Sequence, residues 1–325
     1  MSEHGFLLPG QPATGGSALP TGPIADLSYR NYDGPLRSHP FRWWIIARMI
    51  LRSSVRKWWF WLLTAFAVLP YVIPAFQLYM RSRTPPEAMA FFTPPPWGSY
   101  FYDAYSGSLF WLFLLALLVG SSSIAGDHRT NALQIYFSKP ITKLDYLAGK
   151  WAGLFILLTA VALVPSLVLY LFTLASFQRA ILAEEPTLWA RVLWMAALPG
   201  FLHSSLILGF SAWSRRPLLT GGLYAGLYTG MGVVVSIVSL IVFLSGHPKI
   251  SNTVAHVSLP GILRGIGQHV YNSTPTFFGM QIPGRNGQPA EKPDLLPVAL
   301  TGAGLCAAGL AAARFRIRAV EVVRG

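Results

Sequence analysis

The chain has 325 residues, of which 53% are hydrophobic and 11% are charged, and its net charge is +13. A soluble domain carries about 25% charged residues, so this composition excludes an ordinary soluble protein and indicates a membrane protein. The basic residues flank long apolar runs and do not alternate with aromatic side chains, which argues against a nucleic-acid partner and favours contact with membrane lipid.

Two segments precede the first long apolar run. Residues 1–40 are rich in Gly and Pro and contain no apolar core of a signal peptide, so they predict a flexible cytoplasmic tail. Residues 41–57 predict an amphipathic helix, because four arginines fall within an arc of about 120° on a helix of 3.6 residues per turn. These are Arg42, Arg48, Arg52 and Arg56. Such a helix lies in the membrane interface with its arginines at the lipid phosphates, and a plain positively charged anchor is the alternative.

Six windows of the chain approach the length of about 20 apolar residues that a membrane-spanning helix needs. They are 58–78, 108–126, 151–175, 191–212, 219–245 and 295–313. Because these runs are unbroken, they predict an all-α polytopic membrane protein with a six-span domain over residues 58–325, and they exclude a strand barrel. If the N-terminus is cytoplasmic, most of the 25 Lys and Arg residues fall in inner segments, so both termini are predicted to be cytoplasmic.

The six windows lack the ionisable side chains that ion-driven transporters use. They contain no Asp, Glu or Lys, Arg191 marks one edge, and His203 is the one histidine inside them. Ion-driven transporters need ionisable groups near the middle of the membrane. The chain also has no Gly-x4-Gly-Lys-Ser/Thr phosphate-binding loop. Uphill transport would therefore need a separate energy-supplying subunit.

The loop over residues 127–150 is polar and helix-prone, and it lies between two uncharged apolar runs, which places it at a membrane face. Thr130 or Asn131 can cap a short helix, residues 138–140 break it, and Thr142 begins a capping box that starts the next helix. A short helix joined to two spans can transmit force from a soluble partner. The alternative is an ordinary solvated loop.

Two later segments carry weaker patterns. Gly222, Gly226 and Gly230 lie at four-residue steps in the fifth window. Small residues on one face allow close helix packing, either within the bundle or across a homodimer seam. The outer segment 246–294 contains a stretch at 261–271 that predicts a short re-entrant or interfacial helix, with an ordinary surface helix as the alternative.

Loop 127–150 also carries a family pattern. Asp127 closes the second window, Leu133 follows, residues 138–143 read Ser-Lys-Pro-Ile-Thr-Lys, and residues 147–150 read Leu-Ala-Gly-Lys. This order resembles the integral-membrane permeases of type-2 ABC exporters, and most of all the permeases of copper-enzyme maturation and gliding motility. The family pattern has Glu where this chain has Asp127, and Gly-Thr where it has residues 131–132.

The resemblance implies a transport subunit of the cell membrane that exports an unidentified substrate as a dimer with a second permease chain, identical or different. It implies no catalytic residue, cofactor or metal in this chain, because separate cytoplasmic ATPase subunits bind ATP and Mg²⁺. Eight loop residues are implied to couple to the ATPase: Asp127 and Arg129 orient the loop, Leu133, Ile135 and Tyr136 seat in the ATPase, and Ser138, Lys139 and Pro140 shape the turn. The alternatives are a membrane scaffold or assembly subunit, and a membrane-embedded enzyme.

Overall fold

A computed structural model describes residues 41–85, 95–137, 141–245, 253–254, 257–273, 276–277, 280–281 and 292–317. The helices in these ranges are α1 Arg42–Val55, α2 Trp58–Arg83, α3 Trp97–Gly120, α4 Ala125–Arg129, α5 Ala132–Phe137, α6 Lys143–Glu184, α7 Leu188–Trp213, α8 Pro217–Ala225, α9 Met231–Leu244, α10 Leu259–Val270 and α11 Leu295–Arg316. The π-helical turn Gly226–Gly230 joins α8 to α9. Strands β1 Thr276–Phe277 and β2 Met280–Gln281 pair antiparallel. The predicted tail 1–40 and the turn residues Ser138, Lys139 and Pro140 lie outside the described residues.

Six described stretches are long and apolar enough to cross a membrane, and we number them as the first to sixth spans. They are Trp58–Arg83, Trp97–Arg129, Lys143–Glu184, Leu188–Trp213, Pro217–Val242 and Leu295–Arg316. Each matches one predicted window, so the prediction of an all-α polytopic membrane protein with six spans is confirmed. The strand pair has two residues on each side and forms no sheet layer. We call the end of the bundle that carries loop 127–150 the loop end, and the opposite end the far end.

Helix α6 extends well beyond the thickness of a membrane. It contains 42 residues, and a kink at Phe177 ends its straight part, which runs over residues 143–176. At 1.5 Å per residue this part is about 50 Å long, against about 30 Å for the hydrocarbon core. It begins at the predicted capping box: the Thr142 Oγ1 accepts from the Asp145 backbone N–H at 3.1 Å, and the Asp145 Oδ2 accepts from the Thr142 N–H at 3.1 Å. The only non-helical backbone inside it is at Phe177. Its first two turns therefore form part of the loop-end structure.

The fourth span, α7, lies at the centre of the bundle. It packs against α3, α6 and α11, and 72% of its most apolar window is buried within the chain, against 11% for the fifth span. A Cβ added to Gly209 would lie 2.7 Å from the carbonyl oxygen of Gly309, and one added to Gly309 would lie 2.6 Å from that of Ser205. Backbone therefore meets backbone where α7 crosses α11, which is the role that small residues have between membrane helices.

The glycine stripe of the fifth span does not pack against any residue that the structure describes. A Cβ added to Gly222, Gly226 or Gly230 would have no described atom within 4 Å. Packing inside the bundle, the first interpretation of this stripe, is therefore wrong for the part of the chain that the structure describes. Four-residue spacing marks a smooth helix face, but it does not say which surface covers that face.

Helix α1 forms over most of the predicted amphipathic segment 41–57, and part of its apolar face packs on α6. Ile46, Ala47 and Ile50 are buried in this contact. The contact depends on glycine, because a Cβ on Gly149 would lie 2.6 Å from the Trp43 carbonyl oxygen and 2.7 Å from the Ile46 Cβ. Of the four predicted arginines, three are exposed and one is half-buried at the start of the helix: Arg48, Arg52 and Arg56, and Arg42. The amphipathic helix is thus fixed to the third span on one side and presents arginine on the other.

The predicted helix at 261–271 is present as α10, and it is buried. The Tyr105 hydroxyl donates to the Leu263 carbonyl at 3.1 Å, and the Gln268 Nε2 donates to the Tyr102 hydroxyl at 3.2 Å. These contacts join α10 to the second span near the far end. The alternative of an ordinary surface helix is therefore wrong.

The far end is held by charged and aromatic side chains that link four helices. The Trp97 Nε1 donates to the Glu184 Oε2 at 2.6 Å, and the Arg81 guanidinium lies 3.7 Å from the Trp97 ring centroid. Glu185 pairs with Arg191 at 3.1 Å. This cluster joins the second span to the ends of the first, third and fourth spans, so the two ends of the bundle are both fixed by polar contacts.

Candidate functional site

Two short helices, α4 and α5, lie between the long helices α3 and α6 at the loop end. Helix α4 continues the second span after residues 121–124, and α5 follows after a reversal at Asn131, which has a left-handed φ of 54°. Asn tolerates this conformation better than most residues. The Thr130 hydroxyl donates to the Gly126 carbonyl at 3.0 Å, which caps the end of α4 instead of starting α5. The predicted short helix therefore exists, and its turn is set by Asn131.

A buried ion pair closes the base of this loop. The Lys150 Nζ lies 2.8 Å from the Asp127 Oδ2 and donates to the Ser123 carbonyl at 2.8 Å. The Tyr146 hydroxyl donates to the Asp127 Oδ2 at 2.6 Å. The Lys150 side chain is 4% exposed and that of Asp127 is 18% exposed. A buried pair is stabilising only when further hydrogen bonds satisfy both charges, and here Ser123 and Tyr146 supply those bonds. The end of the second span is thereby joined to the start of the third.

Tyr136 connects α5 to this ion pair. Its ring centroid lies 5.3 Å from that of Tyr146, and the Lys150 Nζ lies 6.0 Å from the Tyr136 centroid. Its hydroxyl also lies 3.8 Å from the Met49 Sδ on α1. Burial raises the pKa of the Tyr136 hydroxyl, and the nearby Asp127 carboxylate acts in the same direction, so the hydroxyl stays protonated near neutral pH. Helix α5 is therefore in contact with both α1 and α6.

The two aliphatic residues predicted to seat in an ATPase point in opposite directions. Leu133 is 8% exposed and belongs to the core of the chain, whereas Ile135 is 65% exposed. Arg129 is exposed, and with Arg216 it lines a groove of about 720 Å³ between the second and fifth spans. The surface that a partner can reach on α5 is therefore the Ile135 side, and Leu133 anchors the helix from below.

The sequence interpretation missed three residues of the ion-pair cluster: Ser123, Tyr146 and Lys150. A signal for two of them was present, because Tyr146 and Lys150 are four residues apart and share one face of a helix. A lysine at the start of an apolar span also needs an acid or carbonyl partner. Ser123 acts through its backbone carbonyl, which no sequence pattern marks.

A sequence model of the ABC-2 family of transporter proteins matches residues 44–259. The chain belongs to the ABC-2 transporter family. The match begins inside α1, contains the first five spans with loop 127–150, and ends at the start of α10. A comparison with individual curated proteins gave no significant match.

Membership of the ABC-2 family makes the chain the permease of an ABC transporter, a transport subunit rather than an enzyme. With six candidate spans, it is a multi-pass protein of the cell membrane. The family also implies an ABC ATPase partner. An ATPase partner also accounts for the six predicted windows, 58–78 to 295–313, which contain no Asp, Glu or Lys.

Proposed function

We propose that the chain exports an unidentified substrate, driven by a separate cytoplasmic ATPase that binds ATP and Mg²⁺ and docks on α5. The observation that carries this proposal is the ion pair between Asp127 and Lys150, which joins two spans at the base of the loop that carries α5, and on which the Tyr136 ring of α5 rests. A rigid short helix with this base moves both spans when a partner presses on it. Tyr136 adds α1 to the same unit through its contact with Met49.

The docking surface in this proposal is the exposed side of α5 around Ile135, with Arg129 beside it. Leu133 supports the helix from the core, and Asp127 holds its base. The exposed basic residues of α1 lie at the same end of the bundle, which agrees with a cytoplasmic loop end under the positive-inside rule. Ile135→Cys in intact cells should react only with membrane-permeant thiol reagents, and labelling by an impermeant reagent would contradict this orientation.

The partner can be tested directly. Tagged protein isolated from native membranes in mild detergent should carry a second chain with a Gly-x4-Gly-Lys-Ser/Thr phosphate-binding loop, identified by mass spectrometry. The isolated complex should hydrolyse ATP. If the chain is isolated intact and no such subunit comes with it, the scaffold alternative is favoured over the exporter.

Ile135→Glu should leave the chain folded and inserted but weaken the ATPase complex about tenfold, because an exposed apolar anchor is lost from the docking surface. The measurement is the amount of ATPase subunit retained at increasing detergent wash volumes, together with the ATP hydrolysis of the complex. Leu182→Glu is the matched control, since Leu182 is a similarly exposed aliphatic residue at the far end of α6. Equal retention in both variants would remove Ile135 from the docking surface.

The second permease chain in this proposal is a second copy, which covers the exposed face of the fifth span. Only 11% of the most apolar window of this span is buried within the chain. Its glycine stripe leaves open space for another backbone to approach. The first and sixth spans are each 22% buried in their windows and are available to flank the seam.

Gly226→Leu should shift the purified protein from dimer toward monomer by about tenfold in dissociation constant, because the added side chain separates the two backbones. Light scattering combined with size-exclusion chromatography in detergent measures the shift. Leu171→Trp on α6 is the control, because it also enlarges an exposed side chain but does so on the third span, outside the proposed seam. A wild-type chain that is monomeric at every concentration would point to a different partner permease.

A further inference from the structure

A small polar pocket lies where α1 meets the start of α2 and the loop ends of the second and third spans. Its volume is about 160 Å³, which is room for about five water-sized groups of about 30 Å³ each. Four of its lining residues are serines: Ser53, Ser54, Ser122 and Ser123. Lys57, Lys150 and Asp127 also line it. The lining is therefore rich in hydrogen-bond donors.

Two of these groups, the Ser123 hydroxyl and the Lys150 ammonium, have an N–H or O–H for which no acceptor is found among the described residues. Ser123 is 8% exposed, and its Oγ has no hydrogen-bond partner among the described residues. A buried hydroxyl without a partner is unfavourable, so a ligand that accepts from it is favoured. The Lys150 ammonium has three N–H groups, and the Asp127 carboxylate and the Ser123 carbonyl take two of them.

The charge of the pocket favours an anion. Asp127 balances Lys150, and within the described residues Lys57 takes part in no ion pair. The Lys57 ammonium lies 5.3 Å from the Trp59 ring centroid and remains exposed. One positive charge is therefore left over at the mouth of the pocket. A phosphate bound there would accept hydrogen bonds from the Lys57 ammonium and the Ser123 hydroxyl.

The position of the pocket relative to the membrane surface indicates which molecule supplies that phosphate. Lys57 directly precedes α2, which begins with tryptophans, and Trp58 and Trp61 are 76% and 58% exposed. Exposed tryptophans at the end of a span lie at the level of the lipid headgroups. We propose that this pocket binds the phosphate of an anionic phospholipid. The bound lipid would join α1 to the Asp127–Lys150 ion pair, whether or not an ATPase docks on α5.

Native mass spectrometry of the full chain in neutral detergent tests this inference with three probes: phosphatidylglycerol, phosphatidylcholine and inorganic phosphate. The wild type should retain one phosphatidylglycerol more strongly than phosphatidylcholine. Lys57→Gln should weaken that retention about fivefold, which is the effect of removing one lysine near an anionic lipid. Arg83→Gln is the matched control, because it removes one exposed charge from the opposite end of the same helix.

Ser123→Ala separates a ligand from a purely structural role. It should weaken phosphatidylglycerol retention while leaving the unfolding temperature of the lipid-free protein unchanged or raised, because it removes an unpaired buried hydroxyl. Retention that is equal in all four proteins, or phosphatidylcholine bound as strongly as phosphatidylglycerol, would overturn the inference. Binding of inorganic phosphate with the same variant dependence, and without lipid, would support a phosphate site and overturn its lipid source.

Discussion

Lys150→Met is expected to lower the free energy of unfolding of the detergent-solubilised protein by about 3 kcal/mol, at the lower end of the range for breaking a buried ion pair. Methionine matches the length of the lysine stem, so the loss comes from the missing charge and not from a cavity. Asp127 then keeps its carboxylate in a largely buried site with Tyr146 as its remaining partner. Its 18% exposure moderates the cost. Chemical unfolding followed by tryptophan fluorescence measures the change.

The double variant Asp127→Asn with Lys150→Met distinguishes a lost ion pair from a general packing defect. Removing both charges leaves no uncompensated carboxylate, so the double variant should be more stable than Lys150→Met alone, and the two effects should not add. Additive losses would show that the two side chains act independently. In the proposed complex, Lys150→Met should also reduce ATP hydrolysis coupled to the permease, because α5 loses its fixed base.

The six spans were predictable because apolar length is a local property of the sequence. The capping box at Thr142 was predictable for the same reason, since both of its hydrogen bonds join residues three positions apart. The Asp127–Lys150 pair is different, because its two residues lie on different spans and meet only when the chain turns back between them. The reversal depends on a left-handed Asn131, which the sequence alone marks only as one possible cap.

The short helix α5 shows a second feature that the sequence could not predict, which is the side of the helix that is buried. It has six residues, fewer than two turns, which is too short for an apolar periodicity to indicate a buried face. Leu133 and Ile135 are both aliphatic and differ only in which side of the helix they occupy. Burial separates them in the structure: of the residues expected to seat in the ATPase, it removes Leu133 from the surface and leaves Ile135 exposed.

The spacing of glycines within a span likewise does not predict which glycines contact another helix. Gly222, Gly226 and Gly230 have the regular steps of a packing motif but meet no neighbour in the described chain. Gly209 and Gly309 belong to no glycine repeat, and they meet backbone to backbone where α7 crosses α11. Close approach depends on where two helices cross, and that crossing point is set by tertiary structure and not by the spacing within one helix.

Gly309→Ala is expected to lower the free energy of unfolding by about 1–3 kcal/mol, the usual cost of overpacking a core. The new Cβ would lie 2.6 Å from the Ser205 carbonyl oxygen, 3.0 Å from its carbon and 3.2 Å from the Leu206 Cα. These are backbone atoms, so no side-chain rotation relieves the contact and α7 must move away from α11. Chemical unfolding in detergent, as for Lys150→Met, gives the free energy.

Gly304→Ala provides the control in the same helix, because a Cβ at Gly304 meets no described atom within 4 Å. Alanine is favoured over glycine in a helix by about 1 kcal/mol, so this control should be neutral or slightly stabilising. The same propensity gain is present in Gly309→Ala, and the difference between the two variants therefore isolates the helix crossing. Gly209→Ala opens that crossing from the other side, so its combination with Gly309→Ala should cost less than the two single changes added together. Equal stability of the Gly304 and Gly309 variants would mean that α7 and α11 do not meet backbone to backbone at this point.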